Sequence, residues 1–447
     1  MYMSRELSEP MTTRKRRYLG CLGVIAALAM LLVAINFALS LYYKHQSALI
    51  ALEMAKRGYP ATFDEMIAKQ NAIPADEHNG AIDMLEAFTR FNDEGVDYAL
   101  LPAMGNYELP SSGTPISSEA MATMKRMLDQ NAAMMELASR GLDSQKFLFP
   151  IDYHDDFSLF PIEWGKHIRT TARIMRLRAI YAGESGNSDM VIESVREILA
   201  FGDRFARQPS IDAAIHNYTL LTLGYVAATE SAEHGYVSSV EGLTRLEAAI
   251  QSATISDITY ALWTNRLTDE RAWDRIPGLA ELFDAYRDEP APLVDLAEAG
   301  FEYLRLMSFL YDRDNYLACR IVADPKNPVN SRRLTDSMRT DPVEAFQVIT
   351  TSMLITDQLM HARQCTALMV IRTMRFRIEN SRLPNASEFD ALAKDCSDID
   401  GHRIRYKPAE SGFVIYSVGL NHQDDNGLTR AELKGADDEV IEIRLPR

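Results

Sequence analysis

The sequence predicts a mainly α-helical protein with an N-terminal transmembrane helix and a small C-terminal α+β tail carrying a three-stranded antiparallel sheet. Three observations lead to this fold class. Residues 18–43 contain no charged side chain, apolar residues then recur at helical spacing through most of the chain, and from His402 onward the pattern alternates as in β-strands. We expect the helices between anchor and tail to form an antiparallel helix-pair array or bundle.

The uncharged run at residues 18–43 is long enough to cross a bilayer, for which about 18 apolar residues suffice. Residues 14–17 are all Lys or Arg, and such a cluster resists translocation, so we expect a cytoplasmic N-terminus and an extracytoplasmic or periplasmic bulk. A cleaved secretory signal is the alternative, because Ala38 and Ser40 are small residues that could precede a cut. The apolar part of such a signal normally has only about 7 to 15 residues, which favours an anchor.

These features divide the chain into four parts. We predict a basic cytoplasmic N-terminus at residues 1–17, a transmembrane helix at 18–43, an extracytoplasmic α-helical domain at 44–341, and a long helix with a small sheet at 342–447. The composition is 47% hydrophobic and 25% charged, which is ordinary for a globular chain and argues against disorder.

The charge balance restricts the classes of partner. The chain has a formal net charge of -16, while residues 1–17 hold five basic and two acidic side chains, so the remainder carries -19. A surface of that sign repels nucleic acid and anionic lipid headgroups. We therefore predict a protein partner and no nucleic acid, with the membrane contacted through one transmembrane helix. Divalent cations would also suit this charge, although solubility alone explains it.

Apolar periodicity predicts a series of helices between the anchor and the tail. Their approximate ranges are 44–57, 78–92, 118–141, 165–182, 189–207, 212–234, 240–253, 257–272, 278–287, 292–318 and 342–380. Gly58, followed by Tyr59 and Pro60, is a typical helix end. The aromatic stretch at 147–164 contains two prolines, so we predict an irregular segment packed on the helices.

The end of the chain predicts a β-hairpin and one further strand. The segments HRIRYKP and GFVIYSVG alternate in polarity and are joined by AESG as a turn. EVIEIRLP supplies the third strand, and LNHQDDNGLTRAELKGADD lies before it as a polar, acidic loop.

Together with the helix tail FRIENSRLPNASEFDAL, these pieces resemble the globular head of type II secretion pseudopilins of the major-subunit kind. The resemblance covers residues 362–447. In that family the loop after the second strand binds calcium, which implies Asp424, Asp425, Asp437 and Asp438 as metal ligands here. The chain departs from the family in its apolar N-terminal segment, which lacks the prepilin cleavage pattern.

A second resemblance concerns the start of the predicted ectodomain. AKRGYPATFDEM followed by PADEHNGAIDMLEAF is similar to the opening of ectodomains in single-anchor bacterial proteins of unknown activity. It implies an anchored protein and no particular chemistry.

The acidic loop can also be judged from its residues alone. Calcium takes six to eight oxygen ligands from a flexible loop. Asn421, Gln423, Asp425 and Glu432 stand at positions 1, 3, 5 and 12 of an EF-hand spacing, but Asn426 occupies the glycine position. A calcium site and a solvated acidic loop therefore both remain open.

Two histidines have acidic neighbours. His154, Asp155 and Asp156 are adjacent ligand-type residues, although neighbours in sequence do not point the same way in a helix or strand, so a turn or helix cap is the alternative. Glu163 and His167 could share a helix face, and a packing histidine is the alternative there.

Three cysteines, Cys319, Cys365 and Cys396, lie outside the predicted transmembrane helix. An oxidising compartment would allow one disulfide, with Cys365 and Cys396 the preferred pair and one thiol left over. Buried cysteines acting as small hydrophobes are the alternative.

The catalytic motifs GxSxG and HExxH, the P-loop and a GxGxxG after a strand do not occur in the sequence. We therefore predict a membrane-anchored extracytoplasmic interaction or scaffold protein. One alternative is a secretion or assembly component with a calcium-binding, pseudopilin-like head. The other is an envelope hydrolase with a site around His154 or His167.

Overall fold

A computed structural model of the chain describes residues 11–71, 78–151, 162–206, 208–273, 316, 320, 342–409, 412–419, 422–428 and 438–444. These residues form twelve α-helices and one three-stranded antiparallel sheet near the C-terminus. The predicted mainly α class with a small C-terminal sheet is confirmed. The predicted helix at 278–287, and that at 292–318 apart from Tyr316, lie outside these residues.

The chain divides into two compact units, Met1–Ala61 with Trp273–Gln347 and Thr62–Ala272 with Val348–Arg447. In the first unit, helix α1 covers Met11–Lys56. It ends as predicted at Gly58, whose φ of +88° and N–H bond to the carbonyl of Ala55 are typical of a glycine helix end.

Several large apolar side chains of α1 are exposed. They are Val24, Met30, Leu31, Val33, Ile35, Phe37, Leu41 and Tyr42. Within the described part of the chain, no helix is both long and apolar enough to cross a membrane. The side chains of residues 18–23, and of several later residues in the apolar run, lie outside that part.

The second unit contains the remaining helices and the sheet. In chain order these are α2 (Phe63–Asn71), α3 (Gly80–Thr89), α4 (Ser118–Gln130), α5 (Ala132–Asp143), α6 (Ile162–Glu184), α7 (Ser188–Ala206), α8 (Ile211–Glu233), α9 (Val240–Ser252), α10 (Ile258–Trp273), α11 (Pro342–Asn380) and α12 (Ala386–Leu392). The strands are β1 (Arg405–Ala409), β2 (Gly412–Ser417) and β3 (Glu439–Arg444). Two of these helices extend past the bounds of the second unit, since Trp273 of α10 and residues 342–347 of α11 fall in the sequence range of the first.

The segment predicted as one helix at 118–141 is two helices, α4 and α5, separated at Asn131. The side chain of Asn131 is fully buried and donates to the carbonyl oxygens of Asn92 (2.7 Å) and Met127 (2.9 Å). Its Oδ1 accepts the N–H of Asn92 at 2.9 Å. An asparagine that bonds nearby backbone competes with the helical ladder, which explains the break.

Helices α6, α7 and α8 pack on one another, and α9 packs mainly on α7. Gly202 of α7 faces Leu221 of α8, and Gly224 of α8 faces Leu199 of α7, so these two helices run antiparallel. The apolar face of α7 is buried among its neighbours, with Val195 and Phe201 fully inaccessible. Such stacked helix pairs bury a continuous core because each pair covers the next.

Helix α11 crosses this array. The Tyr218 hydroxyl of α8 donates to Asp357 of α11 at 3.1 Å, and Gln364 of α11 donates to the carbonyl of Ile250 in α9 at 2.8 Å. Helix α11 thus ties α8 and α9 together.

The sheet has the order β1-β2-β3 with both pairs antiparallel, so the predicted hairpin and third strand are confirmed. Phe413 pairs with Ile443, and both side chains are buried. Phe389 of α12 stacks on Tyr406 of β1 with ring centroids 4.5 Å apart, which packs this helix on the sheet.

Trp164, predicted to lie in an irregular segment, belongs to α6.

Candidate functional site

The predicted calcium ligands lie beside the C-terminal sheet. Asp424 and Asp425 belong to the loop after β2, and Asp438 directly precedes β3. Asp437 lies outside the described residues. Asp438 is 7% exposed, and its Oδ2 accepts the N–H of Gly427 at 2.9 Å. The structure therefore brings together the three ligands that it describes.

The second carboxylate oxygen of Asp438, Oδ1, is buried and has no hydrogen-bond partner among the described residues. Burial raises the pKa of Asp438, the N–H groups of Gly427 and Asp425 oppose that rise, and the carboxylates of Asp425 and Asp424 add to it. A buried carboxylate oxygen beside two further acidic residues has the chemistry of a ligand for a hard cation.

Both carboxylate oxygens of Asp424 already accept hydrogen bonds within the chain. Its Oδ2 accepts from Nε of Arg405 at 2.9 Å, and its Oδ1 accepts the N–H of Asn426 at 2.9 Å. Arg405 also donates to the fully buried carboxylate of Asp398 at 2.5 Å. No set of three acidic, histidine or cysteine side chains within the described ranges is arranged to hold a metal ion. Among the described residues the donor set is therefore incomplete for a cation, with Oδ1 of Asp438 as its buried oxygen.

The histidine sites give a different result. His154, Asp155 and Asp156 lie outside the described residues, as does the side chain of Glu163. His167 stacks on Phe88 with centroids 5.6 Å apart and an interplanar angle of 17°. This contact favours the packing interpretation of His167.

A second group of reactive side chains surrounds Cys365 and Cys396. Cys365 lies on α11 and Cys396 in the turn after α12, and both are free thiols that share a hydrogen bond. Nη1 of Arg372 is 3.8 Å from Sγ of Cys396. The sequence predicted this pair as the candidates for a disulfide, and the structure places them in contact as thiols.

Arg372 is held in place by two carboxylates. It donates to Asp395 at 2.5 and 2.9 Å and to Glu247 of α9 at 2.7 Å. Sequence reasoning missed this arginine. The available signal was its spacing, since Arg372 follows Cys365 by seven residues and so shares its face of α11.

The two thiols have different acidities. The hydrogen bond from Cys396 lowers the pKa of Cys365, with help from the N–H of Ser397 and the charge of Arg372, against burial and Asp395. The same hydrogen bond and burial raise the pKa of Cys396. The thiolate is the nucleophilic form of cysteine, so Cys365, which is the more accessible of the two thiols, is the candidate nucleophile.

A further acidic cluster lies where α8 meets α11. Burial raises the pKa of Asp357, and Asp257 adds to this rise, while His361 and the hydroxyl of Tyr218 oppose it. A buried carboxylate with a raised pKa, such as Asp357, is one feature of sites for general acid and base chemistry. Structural ion-pair networks produce the same shifts. Sequence reasoning missed this cluster because its residues come from three separate segments.

A polar groove of about 510 Å³ opens at the N-terminal ends of α7 and α9. Arg245 and Asp189 lie in its wall and form an exposed ion pair of 2.6 Å. The other lining residues are Gly186, Asn187, Ser188, Ile192, Ser239, Glu241 and Gly242. The groove therefore exposes backbone groups and charged side chains from the starts of both α7 and α9 on the same surface.

Comparison of the chain with protein-family models, with curated proteins and with solved structures gives no match. The resemblance of residues 362–447 to pseudopilin heads therefore stays a prediction that depends on the segments quoted for it.

Proposed function

We propose that the chain is a membrane-anchored, extracytoplasmic interaction or scaffold protein. The observation that carries this proposal is the array of α6 to α9, in which α7 packs against α6, α8 and α9, while α11 forms hydrogen bonds to α8 and α9. Stacked helix pairs of this kind present extended surfaces to partner proteins. The polar groove at the ends of α7 and α9 is one such surface.

The anchor half of the proposal is supported by the uncharged run at 18–43, which lies within α1. Met30, Val33 and Phe37 of this run are each more than 60% exposed, at 67%, 69% and 65%. Large apolar side chains exposed on one helix are costly in water and favourable in lipid. The basic residues 14–17 then place the N-terminus in the cytoplasm.

Protease treatment of intact cells tests the topology. The chain would carry different epitope tags at its two ends. We expect an external protease to remove the C-terminal tag and to spare the N-terminal tag until the membrane is opened. Protection of the C-terminal tag in intact cells, with cleavage only after lysis, would contradict an extracytoplasmic location.

Photo-crosslinking in intact cells tests the interaction half. A photoreactive amino acid would replace Arg245 or Glu241 in the groove, and Lys125, an exposed residue of α4, provides the matched control position. We expect one discrete crosslinked product from both groove positions and none from Lys125. Equal products from all three positions, or none from the groove, would exclude a docking role for this surface.

A second candidate function is a secretion or assembly component whose C-terminal head binds calcium. It is supported by the buried oxygen Oδ1 of Asp438, which lacks a partner among the described residues beside Asp424 and Asp425. Residues of this type would hold the ion through oxygen ligands. The ion would also compensate the buried negative charge of Asp438.

Thermal unfolding with and without calcium tests this candidate. At ten times the dissociation constant, calcium would stabilise the folded chain by about 1.4 kcal/mol. The variant Asp438→Asn would abolish the rise in melting temperature, and the exposed Asp129→Asn would keep it. Without calcium, Asp438→Asn would match or exceed the wild type in stability, because its raised pKa shows that the buried charge is unfavourable. An equal calcium effect on wild type and Asp438→Asn, or no effect on either, would exclude this site.

A further inference from the structure

Cys365 and Cys396 come from separate elements of the second unit, α11 and the turn after α12. Their contact takes no part in the proposed scaffold function or in the acidic loop. The thiols share a hydrogen bond, so the two sulfur atoms are in contact.

The two sulfur atoms differ in access. Cys396 is buried, with 4% of its surface exposed, whereas Cys365 is half-buried. A reagent from solution therefore reaches Cys365 first. Cys396 is shielded from solvent, so it can react with Cys365 but not readily with a second molecule of the reagent.

The surroundings of Cys365 favour a negative charge on its sulfur. The S–H of Cys396 and the N–H of Ser397 donate to it, and the guanidinium of Arg372 lies nearby. The facing groups that oppose ionisation are the carboxylate of Asp395 and burial itself. Tyr225 of α8 also faces Cys365, and its buried hydroxyl has no hydrogen-bond partner within the described part of the chain.

Arg372 is a fixed feature of this arrangement because Asp395 and Glu247 hold it from two sides. A low thiol pKa, a resolving cysteine within contact and partial access from solution are the features of redox-reactive cysteines.

We propose that Cys365 and Cys396 form a redox-reactive pair in which Cys365 attacks a low-molecular-weight disulfide and Cys396 then closes an intrachain disulfide. The inference rests on the geometry of the pair and is independent of the proposed scaffold function. The product would link α11 covalently to the turn that leads into the C-terminal sheet.

The exchange has two steps. The Cys365 thiolate attacks one sulfur of the external disulfide, so that a mixed disulfide forms and one thiolate leaves. The Cys396 thiol gives its proton to that leaving thiolate, attacks Sγ of Cys365, and expels the second half of the reagent as a thiolate. Two protein thiols are thereby oxidised by two electrons, and the external disulfide is reduced to two thiols.

Mass spectrometry of the folded full-length chain tests this reaction with oxidised glutathione as the probe. Cys21 and Cys319 would be replaced by serine, so that Cys365 and Cys396 are the remaining thiols. We expect this protein to lose two hydrogen atoms and to gain no glutathione. The variant Cys396→Ser would stop at one glutathione on Cys365, and Cys365→Ser would stay unmodified while folded.

Two further measurements make the outcome decisive. Circular dichroism and thermal unfolding establish that each serine variant is folded before it is compared. In the Cys396→Ser variant, the rate of alkylation of Cys365 by iodoacetamide should rise with a midpoint below the ordinary thiol value of about 8.5. Equal modification of Cys396 in Cys365→Ser, addition of two glutathiones to the parent, or an alkylation midpoint near the ordinary thiol value of about 8.5 would overturn the proposal.

Discussion

Arg372 and Glu247 are 125 residues apart in the sequence and form a salt bridge of 2.7 Å in which both side chains are about nine-tenths buried. Arg375, one turn further along α11, donates to the other oxygen of the same carboxylate. Glu247 of α9 therefore serves two arginines of α11. Through Asp395, the Arg372 side chain continues this connection to the turn after α12.

Replacing Glu247 by glutamine should strongly destabilise the chain. The substitution leaves the charges of Arg372 and Arg375 without a buried carboxylate, and removing one member of a buried pair costs about 3 to 5 kcal/mol. Urea unfolding followed by circular dichroism measures the loss. The control is Glu193→Gln, because the Glu193–Arg196 pair is exposed and such a pair contributes roughly 0 to 1 kcal/mol. Similar losses in both variants would contradict a structural role for the buried pair.

Asn217 provides a second test of buried polar groups. Its side chain is fully buried, donates to the carbonyls of Gly202 (2.9 Å) and Thr254 (3.0 Å), and accepts the N–H of Ser256 at 2.9 Å. Asn217→Ala leaves these backbone groups unsatisfied, so we expect a loss of at least about 2 kcal/mol in the free energy of unfolding. Asn380→Ala, which removes one exposed hydrogen bond, should cost under about 0.5 kcal/mol. A small loss for Asn217→Ala would show that water replaces the amide.

The contact between α3 and α5 depends on Gly80. A Cβ atom at this position would lie 2.0 Å from the carbonyl oxygen of Gly141, and backbone cannot move aside as a flexible side chain can. Gly80→Ala should therefore destabilise the chain by about 1 to 3 kcal/mol, against a helix-propensity gain of at most about 1 kcal/mol. Glu86→Ala, on the exposed face of α3, is the control and should leave the melting temperature nearly unchanged. A more stable Gly80→Ala would contradict the close approach.

His216 should make stability fall as the pH is lowered. Burial, and then the charge of Arg169, lower its pKa to about 4, below the ordinary value of 6.5. The neutral ring is thus favoured in the folded chain. This stabilisation is fully present above pH 6.5 and is lost as the pH falls through about 4, with a total of no more than about 3 kcal/mol.

The variant His216→Phe isolates this effect, because it keeps an aromatic ring beside Phe205 and cannot be protonated. Melting temperatures of wild type and variant should diverge between pH 6.5 and 4, with the wild type losing more. Parallel curves over that interval would show that His216 is protonated without cost.

Most of the described helices could be predicted from the sequence, because each buries one apolar face and its residues recur at helical spacing. The ends of α1 and of β1 and β2 also followed from local signals, namely Gly58 and the AESG turn. The division of α4 from α5 could not be predicted. Asn131 breaks that helix by bonding to Asn92, which is distant in sequence and becomes a neighbour only in the folded chain.

The candidate sites, like the helices, could be predicted from the sequence only in part. The sequence indicated the acidic loop and the cysteine pair because residue type and order are sufficient to name them as candidates. It did not indicate which carboxylate is buried without a partner, or that Arg405 already neutralises Asp424. Those properties depend on solvent exclusion and on distances between atoms.

By itself, the sequence determined the helical class, the three-stranded C-terminal sheet and the uncharged run at 18–43, since these depend on local periodicity and composition. Tertiary structure alone decided that Glu247 would lie between two arginines, and that Cys365 would meet Cys396 beside Arg372. The physical reason is that burial and charge pairing arise from packing between separate elements. They shift the acidity and reactivity of a side chain away from the values that its identity alone would give.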